Sequence, residues 1–387
     1  MEFRDTTLAS LSVDGRGSYG IGASAVERSD NLYTYLRITD IRDDGTLNMA
    51  DLKSVDDAKA SQYLLRPNDI VFARTGASTG RNYFYDGTDG EFVYAGFLIK
   101  FSIDPEKVNP KYIKYYCMSD AYKGWVHSFN TGSTRGNINA QTLGGMPIPL
   151  PPRSQQDGLV DILSSLDAKI RKNADVNENL QEQAQAIYSN MFICNASGQW
   201  TDGILSDVAE ITMGQSPKGD TYNENGVGTV FFQGRGEFGF RFPTRRLFTT
   251  DPKRMAQSND VLMSVRAPVG DLNVAYEPCC IGRGLGAIRS KDSHQSFVLY
   301  TAFSLREKLD MFNGEGTVFG SINRDALNSM PIIIPTKEEM DRFEEIVAPM
   351  DAAIRNNYEE ICRLEAIRDS LLPRLMSGQL DVSNIDL

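Results

Sequence analysis

Residues 159–191 read LVDILSSLDAKIRKNADVNENLQEQAQAIYSNM, and this stretch decides the fold. Apolar residues recur along it at alternating steps of four and three, with Asn173 and Asn177 filling the two gaps. Such a stripe is typical of a long helix that packs against another helix. The sequence predicts this helix from Ser154, a residue type that caps helices, to about Phe192.

The same stripe recurs 184 residues later, in a second helix predicted over residues 337–376. Asn357 stands there where the first helix has Asn173. A polar residue in such a seam lowers stability but sets the register. We therefore predict that the two helices pair with each other. The predicted coiled-coil seam comprises Leu163, Leu166, Ile170, Asn173, Leu180, Val347, Met350, Ile354, Asn357 and Leu364.

A globular segment precedes each helix. Both segments mix strand-like runs with short helices and end in proline-rich stretches, Met146–Pro152 and Met330–Pro335. The sequence thus predicts an α+β fold: two similar mixed α/β domains separated by an antiparallel coiled coil, with a pseudo-two-fold internal repeat. We assign a first domain to 1–152, a first spacer helix to 153–195, a second domain to 196–335, a second spacer helix to 336–378, and a tail packed near the N-terminal domain to 379–387.

Individual elements are predicted within these domains. They are strands at Leu32–Ile38, Ile70–Ala73, Asn82–Tyr85, Phe92–Phe101, Val230–Gln233, Val261–Val265 and Leu272–Tyr276, and helices at Pro110–Val126 and Phe297–Phe312. Antiparallel pairing of the long helices would hold the domains apart by on the order of 50 Å, since each residue of a helix adds about 1.5 Å. Two similar modules at a fixed separation suit duplex DNA with two half-sites.

Composition narrows the functional class. The net charge is −11, and more than half of the excess lies in residues 336–387, so the globular segments are nearly neutral and either could bear a basic face. The five cysteines match neither a disulfide framework nor a zinc site, and this distribution favours a cytoplasmic protein. We expect neither a signal peptide nor a membrane span.

The duplication resembles a known family, the DNA specificity subunit of type I restriction–modification systems. The repeat of Met146–Leu180 as Met330–Leu364 and the ending Leu371–Gly378 carry the resemblance, which covers essentially the whole chain. One departure is Arg368, at the seam position where the first helix has Ala184. The resemblance implies that each domain is a target recognition domain that reads one half of a bipartite double-stranded DNA target.

The same resemblance implies partners for the paired helices, which would fix the spacer and dock two methyltransferase subunits, with restriction subunits added to these. The partners would use S-adenosylmethionine, and ATP with magnesium. This chain would hold no cofactor and no metal and would be non-catalytic. The residues agree, because the chain lacks the methyltransferase tetrapeptide and places neither His127 nor His294 beside a nucleophile.

The densest basic run lies in the second domain. It comprises Arg235, Arg241, Arg245, Arg246, Lys253 and Arg254, interleaved with Phe238, Phe240 and Phe242. This composition suits phosphate contacts and base reading by arginine, with Gln233 and Arg235 the best candidates for direct readout. The alternative is a solvated hairpin whose aromatic rings face the core.

Three glycine-rich loops add further DNA-binding candidates. The loop at residues 74–81 offers Arg74, Thr75, Ser78 and Arg81 for phosphate, or is a plain tight turn, and Arg266 is taken as its match in the second half. The recurring loops at 131–137 and 316–323 contribute Ser133, Thr134, Arg135 and Phe319.

A protein of another class remains open from the residues alone. In that alternative, the coiled coil joins two protein-binding modules in a non-DNA interaction scaffold. Retention of genomic DNA fragments in a gel-shift assay would separate the two hypotheses, because only the DNA reader shows salt-sensitive binding to one preferred site.

Overall fold

Two units make up the chain in the computed structural model, which describes residues 3–129, 137–198, 200–314 and 320–382. Unit 1 comprises Met1–Arg171 and Ile361–Leu387, and unit 2 comprises Lys172–Glu360. Each unit therefore contains one globular segment and part of both long helices.

Unit 1 begins with a mixed arrangement of short strands and helices. The strands are β1 (Arg4–Thr7), β2 (Ser18–Tyr19), β3 (Ala25–Val26), β4 (Tyr33–Leu36), β5 (Lys53–Val55), β6 (Asp69–Ala73), β7 (Asn82–Tyr85), β8 (Phe92–Tyr94), β9 (Leu98–Ser102) and β10 (Pro147–Leu150). The helices are α1 (Pro110–Tyr116), α2 (Asp120–His127), α3 (Ala140–Gly144) and the long α4 (Arg153–Tyr188), which continues into unit 2.

The strands of unit 1 form three sheets. One sheet has the order β2-β9-β6-β7 and is antiparallel, and a second has the order β3-β5-β4-β8, in which β4 and β8 run parallel. The main core packs the first sheet against α1 and the start of α4, with Phe72, Phe101, Tyr112 and Tyr115 fully buried. This packing brings the helix and the sheet of the domain onto the long helix.

The proline-rich stretch before α4 is extended, as predicted, and forms strand β10. It pairs with β1 in a two-stranded antiparallel sheet, where Pro147 lies opposite Thr7 and Pro149 opposite Asp5. The prolines alternate with Ile148 and Leu150, which are buried. A two-stranded sheet tolerates prolines because each strand has a free edge for residues that lack an amide hydrogen.

Unit 2 repeats this plan. Its strands are β11 (Thr201–Ile204), β12 (Ala209–Met213), β13 (Tyr222–Asn223), β14 (Thr229–Phe232), β15 (Phe248–Thr249), β16 (Met255–Ala256), β17 (Val261–Ser264), β18 (Leu272–Val274), β19 (Cys279–Ile281), β20 (Leu285–Ser290) and β21 (Pro331–Ile334). Its helices are α5 (Leu205–Val208), α6 (Gln295–Ser304), α7 (Arg306–Asp310), α8 (Arg324–Asn328) and the long α9 (Lys337–Met376), which continues into unit 1.

The sheets of unit 2 correspond to those of unit 1. The order β12-β20-β17-β18 matches β2-β9-β6-β7, and the parallel pair β14–β19 matches β4–β8 within the order β13-β15-β14-β19-β16. The two-stranded sheet β11–β21 matches β1–β10. The internal duplication read from the helices therefore extends through the globular segments.

Three elements that the sequence predicts as continuous are interrupted. The strand at Phe92–Phe101 is two strands, β8 and β9, joined by a turn at residues 95–97. The helix at Pro110–Val126 is α1 followed by α2, because Ser119 caps a new helix with its side chain. The helix at Phe297–Phe312 likewise divides into α6 and α7, followed by a 3-10 turn. Apolar runs persist across such breaks, so hydrophobic periodicity does not reveal them.

Within each unit the two long helices pack antiparallel, as predicted. In unit 1, Leu159 and Leu163 near the start of α4 share a buried core with Leu372 and Leu375 near the end of α9. In unit 2, Tyr188 near the end of α4 packs its ring against Phe343 near the start of α9. Beyond Tyr188 the first helix continues as a π-helical turn over Ser189–Cys194.

The seam residues have the burial that helix packing requires. Asparagines hydrogen-bond across the seam in unit 2: Asn177 Nδ2 donates to the Ile354 carbonyl at 3.3 Å, and Asn357 Nδ2 donates to Asn177 Oδ1 at 2.9 Å. The buried seam residues are Leu163, Asn173, Val347 and Ile354, and the half-buried ones are Leu166, Ile170, Leu180, Met350, Asn357 and Leu364.

Arg368 is accommodated in unit 1 by acidic partners. Its Nη1 lies 3.3 Å from Asp167 Oδ1, and its Nη2 lies 3.1 Å from Asp369 Oδ1. Its guanidinium is therefore neutralised where an apolar residue would otherwise pack, and its aliphatic stem can cover neighbouring apolar surface. The C-terminal residues Leu380 and Val382 also lie in this unit, both hydrogen-bonded to Gln155 near the start of α4.

Among the described residues, no helix combines the length and apolarity that crossing a membrane requires. Within the same ranges, no group of three or more histidine, cysteine, aspartate or glutamate side chains is arranged to hold a metal ion.

Candidate nucleic-acid interface

A tight turn in unit 2 is held by hydrogen bonds between its backbone and the neighbouring chain segments. The turn comprises Gly282, Arg283 and Gly284, between β19 and β20, and we call it the pinned turn of unit 2. The amides of the three residues donate to the Phe232 carbonyl at 2.8 Å, to Ser216 Oγ at 3.2 Å and to the Gln233 carbonyl at 3.2 Å, respectively. The Gly284 carbonyl accepts from the Val265 amide at 2.9 Å.

Glycine is required where the chain segments approach this turn. A Cβ atom on Gly284 would lie 2.8 Å from the Gln233 carbonyl oxygen, and one on Gly214 would lie 2.1 Å from the Gly282 carbonyl oxygen. Side-chain atoms do not fit at such distances, so in unit 2 both positions require glycine. The loops after β12 and β14 are thereby held beside the pinned turn.

Several polar side chains lie where these loops and the pinned turn meet, at the ends of the strands. Gln215, Gln233, Arg266, Arg283 and Ser321 are all exposed, and together we call them the strand-end face of unit 2. In the part of the chain that the structure describes, the side chains of Gln233, Arg266 and Arg283 have no hydrogen-bond or ion-pair partner. They are therefore available for a ligand that offers acceptors, and guanidinium and amide groups are the donors that read purine edges in DNA.

Unit 1 contains the same turn at residues 95–97, the pinned turn of unit 1. Five backbone hydrogen bonds correspond between the units. In unit 2 they run from Gly214 N to Leu285 O, Gln215 N to Ile281 O, Gly282 N to Phe232 O, Leu285 N to Gly282 O and Val265 N to Gly284 O. In unit 1 they run from Gly20 N to Leu98 O, Ile21 N to Tyr94 O, Ala95 N to Leu36 O, Leu98 N to Ala95 O and Arg74 N to Phe97 O.

The side chains on the matching face of unit 1 differ in chemistry. Phe97 is 58% exposed and Tyr19 is 42% exposed, and the guanidinium of Arg74 lies 5.1 Å from the centre of the Tyr19 ring. Thr75 forms an isolated bridge with Asn137. We call these five residues the strand-end face of unit 1. It is more apolar than its counterpart, so equivalent positions in the two units present different chemistry.

The sequence left two interpretations open for the loop at residues 74–81, phosphate contact or a plain tight turn, and neither describes the whole loop. Arg74 and Thr75 lie on the strand-end face of unit 1. Ser78 is buried in a 3-10 turn, and Arg81 donates from Nε to Asp43 Oδ1 at 2.6 Å. Only the beginning of the loop therefore belongs to the face, and the remainder is a tight turn tied to the body of the unit.

Arg266 corresponds to Thr75 and not to Arg74, which corrects the alignment made from the sequence. The Ile138 amide donates to the Arg74 carbonyl and the Ile322 amide to the Val265 carbonyl, so Arg74 is equivalent to Val265. The sequence alignment paired Arg74 with Arg266 because both residues are arginines, although this pairing is out of register by one position.

The basic run of unit 2 contains one wrong candidate, Arg241. Its side chain is only 4% exposed and its Nη1 lies 2.9 Å from Asp351 Oδ1, while Nη2 donates to Tyr300 OH at 3.2 Å. A buried guanidinium committed to these partners cannot reach DNA. Charge counting could not identify this, because the partner Asp351 is more than one hundred residues away in the chain.

The other cations of the run are exposed, and most have acidic neighbours. Arg254 is exposed, and its side chain has no hydrogen-bond or ion-pair partner among the described residues. Where both partners are exposed, as in Arg245 with Glu277, the ion pair contributes little to stability, so a phosphate could replace the carboxylate at small cost. The pairs are Arg235 with Asp271, Arg245 with Glu277, Arg246 with Glu237 and Glu224, and Lys253 with Asp251.

The interleaved phenylalanines do not share one environment. Phe242 is buried and packs against Tyr276 and Tyr358, Phe238 is half-buried, and Phe240 is 47% exposed. The aromatic side chains are thus divided between core and surface. The candidates Ser133, Thr134, Arg135 and Phe319 lie outside the described residues, whereas their neighbours Asn137 and Ser321 lie on the two strand-end faces.

Each domain is anchored to its long helix by matched carboxylates. In unit 1, Asp167 Oδ2 lies 2.7 Å from Lys114 Nζ and accepts from Tyr115 OH at 2.9 Å. In unit 2, the equivalent Asp351 binds Arg241 and accepts from Tyr300 OH at 2.9 Å. These anchors explain why aspartates recur 184 residues apart in the helices.

A second pair of anchors lies one turn into each helix. Asn109 Nδ2 donates to Asp157 Oδ1 at 2.7 Å, and His294 Nε2 lies 2.7 Å from Asp341 Oδ1. Hydrogen bonds from Lys337 and then from His294 hold the pKa of the Asp341 carboxyl below its usual value. His294 therefore links the second globular segment to the long helix α9.

Comparison with known proteins identifies the family. The profile of the type I restriction modification DNA specificity domain matches residues 24–182 and 198–366, once in each half of the chain. A Methanocaldococcus jannaschii protein described as the MjaX specificity subunit of a type I restriction enzyme is 28% identical, with 93% of this chain and 90% of that protein aligned. The HindI specificity subunit of Haemophilus influenzae is 20% identical over 82% of this chain and 87% of its own.

A solved structure supports the fold. The crystal structure of a type I restriction–modification S subunit from M. genitalium matches 97% of this chain and 96% of its own, with a TM-score of 0.57 and 15% identity. The comparisons favour DNA recognition over the scaffold alternative. The resemblance read from the repeat is thereby confirmed, and the chain belongs to the family of type I restriction modification DNA specificity domains.

Proposed function

We propose that the chain reads a bipartite DNA target, with one half-site bound by the strand-end face of each unit. DNA recognition follows from the family, and this chain is the specificity component and not the catalyst. The observation that carries the bipartite proposal is the duplicated pinned turn, with the same backbone hydrogen bonds but different exposed side chains in the two units. A single scaffold used twice with different side chains suits a target whose halves differ in sequence.

The long helices act in this proposal as the spacer between the half-sites. Their register is specified by the asparagine contacts of the seam, which only one alignment of the helices satisfies. A helix pair is stiff along its axis, so it can fix the number of unread base pairs between two sites.

Partner subunits supply the chemistry. We propose that two methyltransferase subunits that use S-adenosylmethionine dock on the long helices, and that restriction subunits that use ATP and magnesium join them. We further propose that the complex acts in the cytoplasm, where its DNA substrate and nucleotide cofactors are present.

Methylome sequencing tests the function directly. The chain would be co-expressed with its methyltransferase partner in a host that lacks other adenine and cytosine methylation. We expect one methylated motif, made of two short specified halves around an unspecified spacer. A motif without a spacer, or methylation that does not depend on this chain, would contradict the proposal.

A gel-shift assay with the purified complex supplies a second readout. Binding to a duplex with this motif should weaken steeply as salt rises, because phosphate contacts release counterions. Equal retention of duplexes with and without the motif would argue against sequence recognition.

A further inference from the structure

We propose that the pinned turn of each unit is its base-reading element, with Arg283 binding guanine in one half-site and Phe97 contacting a thymine methyl group in the other. This inference rests on the proposed function and assigns the residues that make the two half-sites different. Neither residue stands out in the sequence, because each lies outside the basic run and the polar loops.

The turn presents its side chain from a fixed backbone. In unit 2 the amides of residues 282, 283 and 284 are all satisfied within the unit, so the backbone needs no contact from DNA. A reading group on such a backbone loses little conformational freedom on binding, which strengthens discrimination between bases. The conformations that remain open are those of the Arg283 side chain itself.

Arg283 differs from most arginines of the basic run by having no competing partner. Arg235, Arg245 and Arg246 each lie against a carboxylate, whereas Arg283 is exposed with no ion pair among the described residues. A guanidinium matches the O6 and N7 acceptors of guanine with two parallel hydrogen bonds. Gln233, whose carbonyl accepts from the turn, projects beside it and can support the same base pair or its neighbour.

Phe97 occupies the neighbouring position of the unit 1 turn. Its carbonyl accepts from the Arg74 amide at 3.1 Å and the next residue, Leu98, donates to Ala95 at 2.8 Å, so the backbone cannot carry the ring into the core. An apolar ring that is 58% exposed gains favourable burial when an apolar group of a ligand covers it. Phenylalanine contacts the thymine methyl group in the major groove, where the nearby Arg74 can face phosphate.

The experiment compares methylation motifs of variants in the intact complex. Arg283→Ala and Arg283→Lys should relax one specified position of one half-site, because lysine keeps the charge but loses the paired donors. Phe97→Ala should relax one position of the other half-site, and Phe97→Leu should retain it in part. Arg342→Ala and Val13→Ala, which alter exposed residues outside the turns, serve as controls and should leave the motif unchanged.

Base analogues then identify the contacts. With the wild-type complex, 7-deazaguanine at one position removes the N7 acceptor and leaves O6, so it should weaken binding about two- to tenfold, the effect of losing one of the two hydrogen bonds. Deoxyuridine in place of one thymidine in the other half should weaken binding about threefold, which corresponds to the loss of one methyl contact. Arg283→Ala should be insensitive to the first analogue and Phe97→Ala to the second.

The outcomes separate this inference from the proposed function. A bipartite wild-type motif that persists unchanged in the alanine variants would overturn the assignment of the turns and leave the DNA function intact. If Phe97→Ala bound more weakly than the wild type on the deoxyuridine duplex as well as on the thymidine duplex, the ring would act as a wedge between bases. That result would overturn the methyl contact. A wild-type complex without a bipartite motif would instead overturn the proposed function itself.

Discussion

At the scale of single residues, equal charge in the sequence conceals different roles in the structure. Arg241 and Arg246 are five residues apart in one basic run, yet one is buried on Asp351 and the other is exposed. The sequence identified the run correctly as basic, but burial depends on residues distant in the chain. Arg283 shows the converse, since its setting between two glycines offered no signal for binding.

Replacement of Arg241 by alanine should destabilise unit 2 strongly. The change leaves the Asp351 carboxylate and the Tyr300 hydroxyl without their shared donor in a buried environment. Breaking one partner of a buried ion pair costs about 3–5 kcal/mol, and we expect a fall of this size in the free energy of unfolding. Denaturant titration followed by circular dichroism measures it.

Arg254→Ala is the matched control, because it removes an exposed arginine of the same run whose side chain has no partner among the described residues. It should leave the unfolding midpoint nearly unchanged while reducing the dependence of DNA binding on salt. Equal destabilisation by the two variants would show that Arg241 does not have the structural role assigned to it.

Asp167 should make the stability of unit 1 depend on pH. Burial alone would raise the pKa of this carboxyl, but the charge of Lys114 and hydrogen bonds from Lys114 and Tyr115 outweigh burial and hold the pKa below its usual value. A carboxyl with a lowered folded pKa contributes its full stability above the unfolded pKa of about 3.9. That contribution is lost as pH falls further, through the folded value.

Asp167→Asn should therefore be less stable than the wild type at neutral pH, and the difference should shrink below about pH 4. Unfolding free energies measured between pH 7 and the acid limit of folding test this. Asp161→Asn, on the same helix and exposed, is the control. A difference between Asp167→Asn and the wild type that stays constant with pH would mean that the ion pair contributes nothing.

At the scale of elements, the sequence predicts the long helices well and the turns poorly. The helices follow from a local period that repeats over many residues, and their seam follows from the same period. The break between β8 and β9 cannot be read locally, because the pinned turn is held by hydrogen bonds to Leu36 and Arg74, which are distant in the chain. Phe97 was missed as a candidate for this reason.

Insertion of seven residues into both helices should lengthen the DNA spacer. Placed after Arg171 and after Glu360, the insertions fall at the boundaries between the units and preserve the contacts within each one. Seven helical residues add about 10.5 Å, or about three base pairs of duplex. We expect a methylation motif with unchanged halves and about three more unspecified positions.

The control for this prediction is the same insertion in one helix only. It would misalign the seam and should abolish methylation or reduce it greatly. An unchanged spacer in the double-insertion variant would contradict the proposal that the helices set the spacer length, whether or not the half-sites change.

At the scale of the whole molecule, the duplication makes each globular segment exchangeable. The anchors Asp157 and Asp167 in one unit correspond to Asp341 and Asp351 in the other, so both domains join their helices in the same way. The domain boundaries at 152 and 335 stay a prediction, and an exchange experiment tests them together with the function.

Residues 200–335 should be replaceable by the matching segment of a relative that recognises another target. Because the anchor carboxylates lie on the helices and are retained, the chimera should fold and change only one half of the methylated motif. Methylome sequencing of the chimera provides the measurement. A change in both halves would contradict the assignment of one half-site to each unit.

The pinned turns bear on how such proteins acquire new targets. Their geometry is enforced by main-chain atoms and by one serine hydroxyl, so the identity of residue 283 or residue 97 has little influence on folding. If the turns read DNA as proposed, a single codon change there would redirect the modification pattern of a genome without loss of folding. Diversification of recognition would then be decoupled from selection on stability.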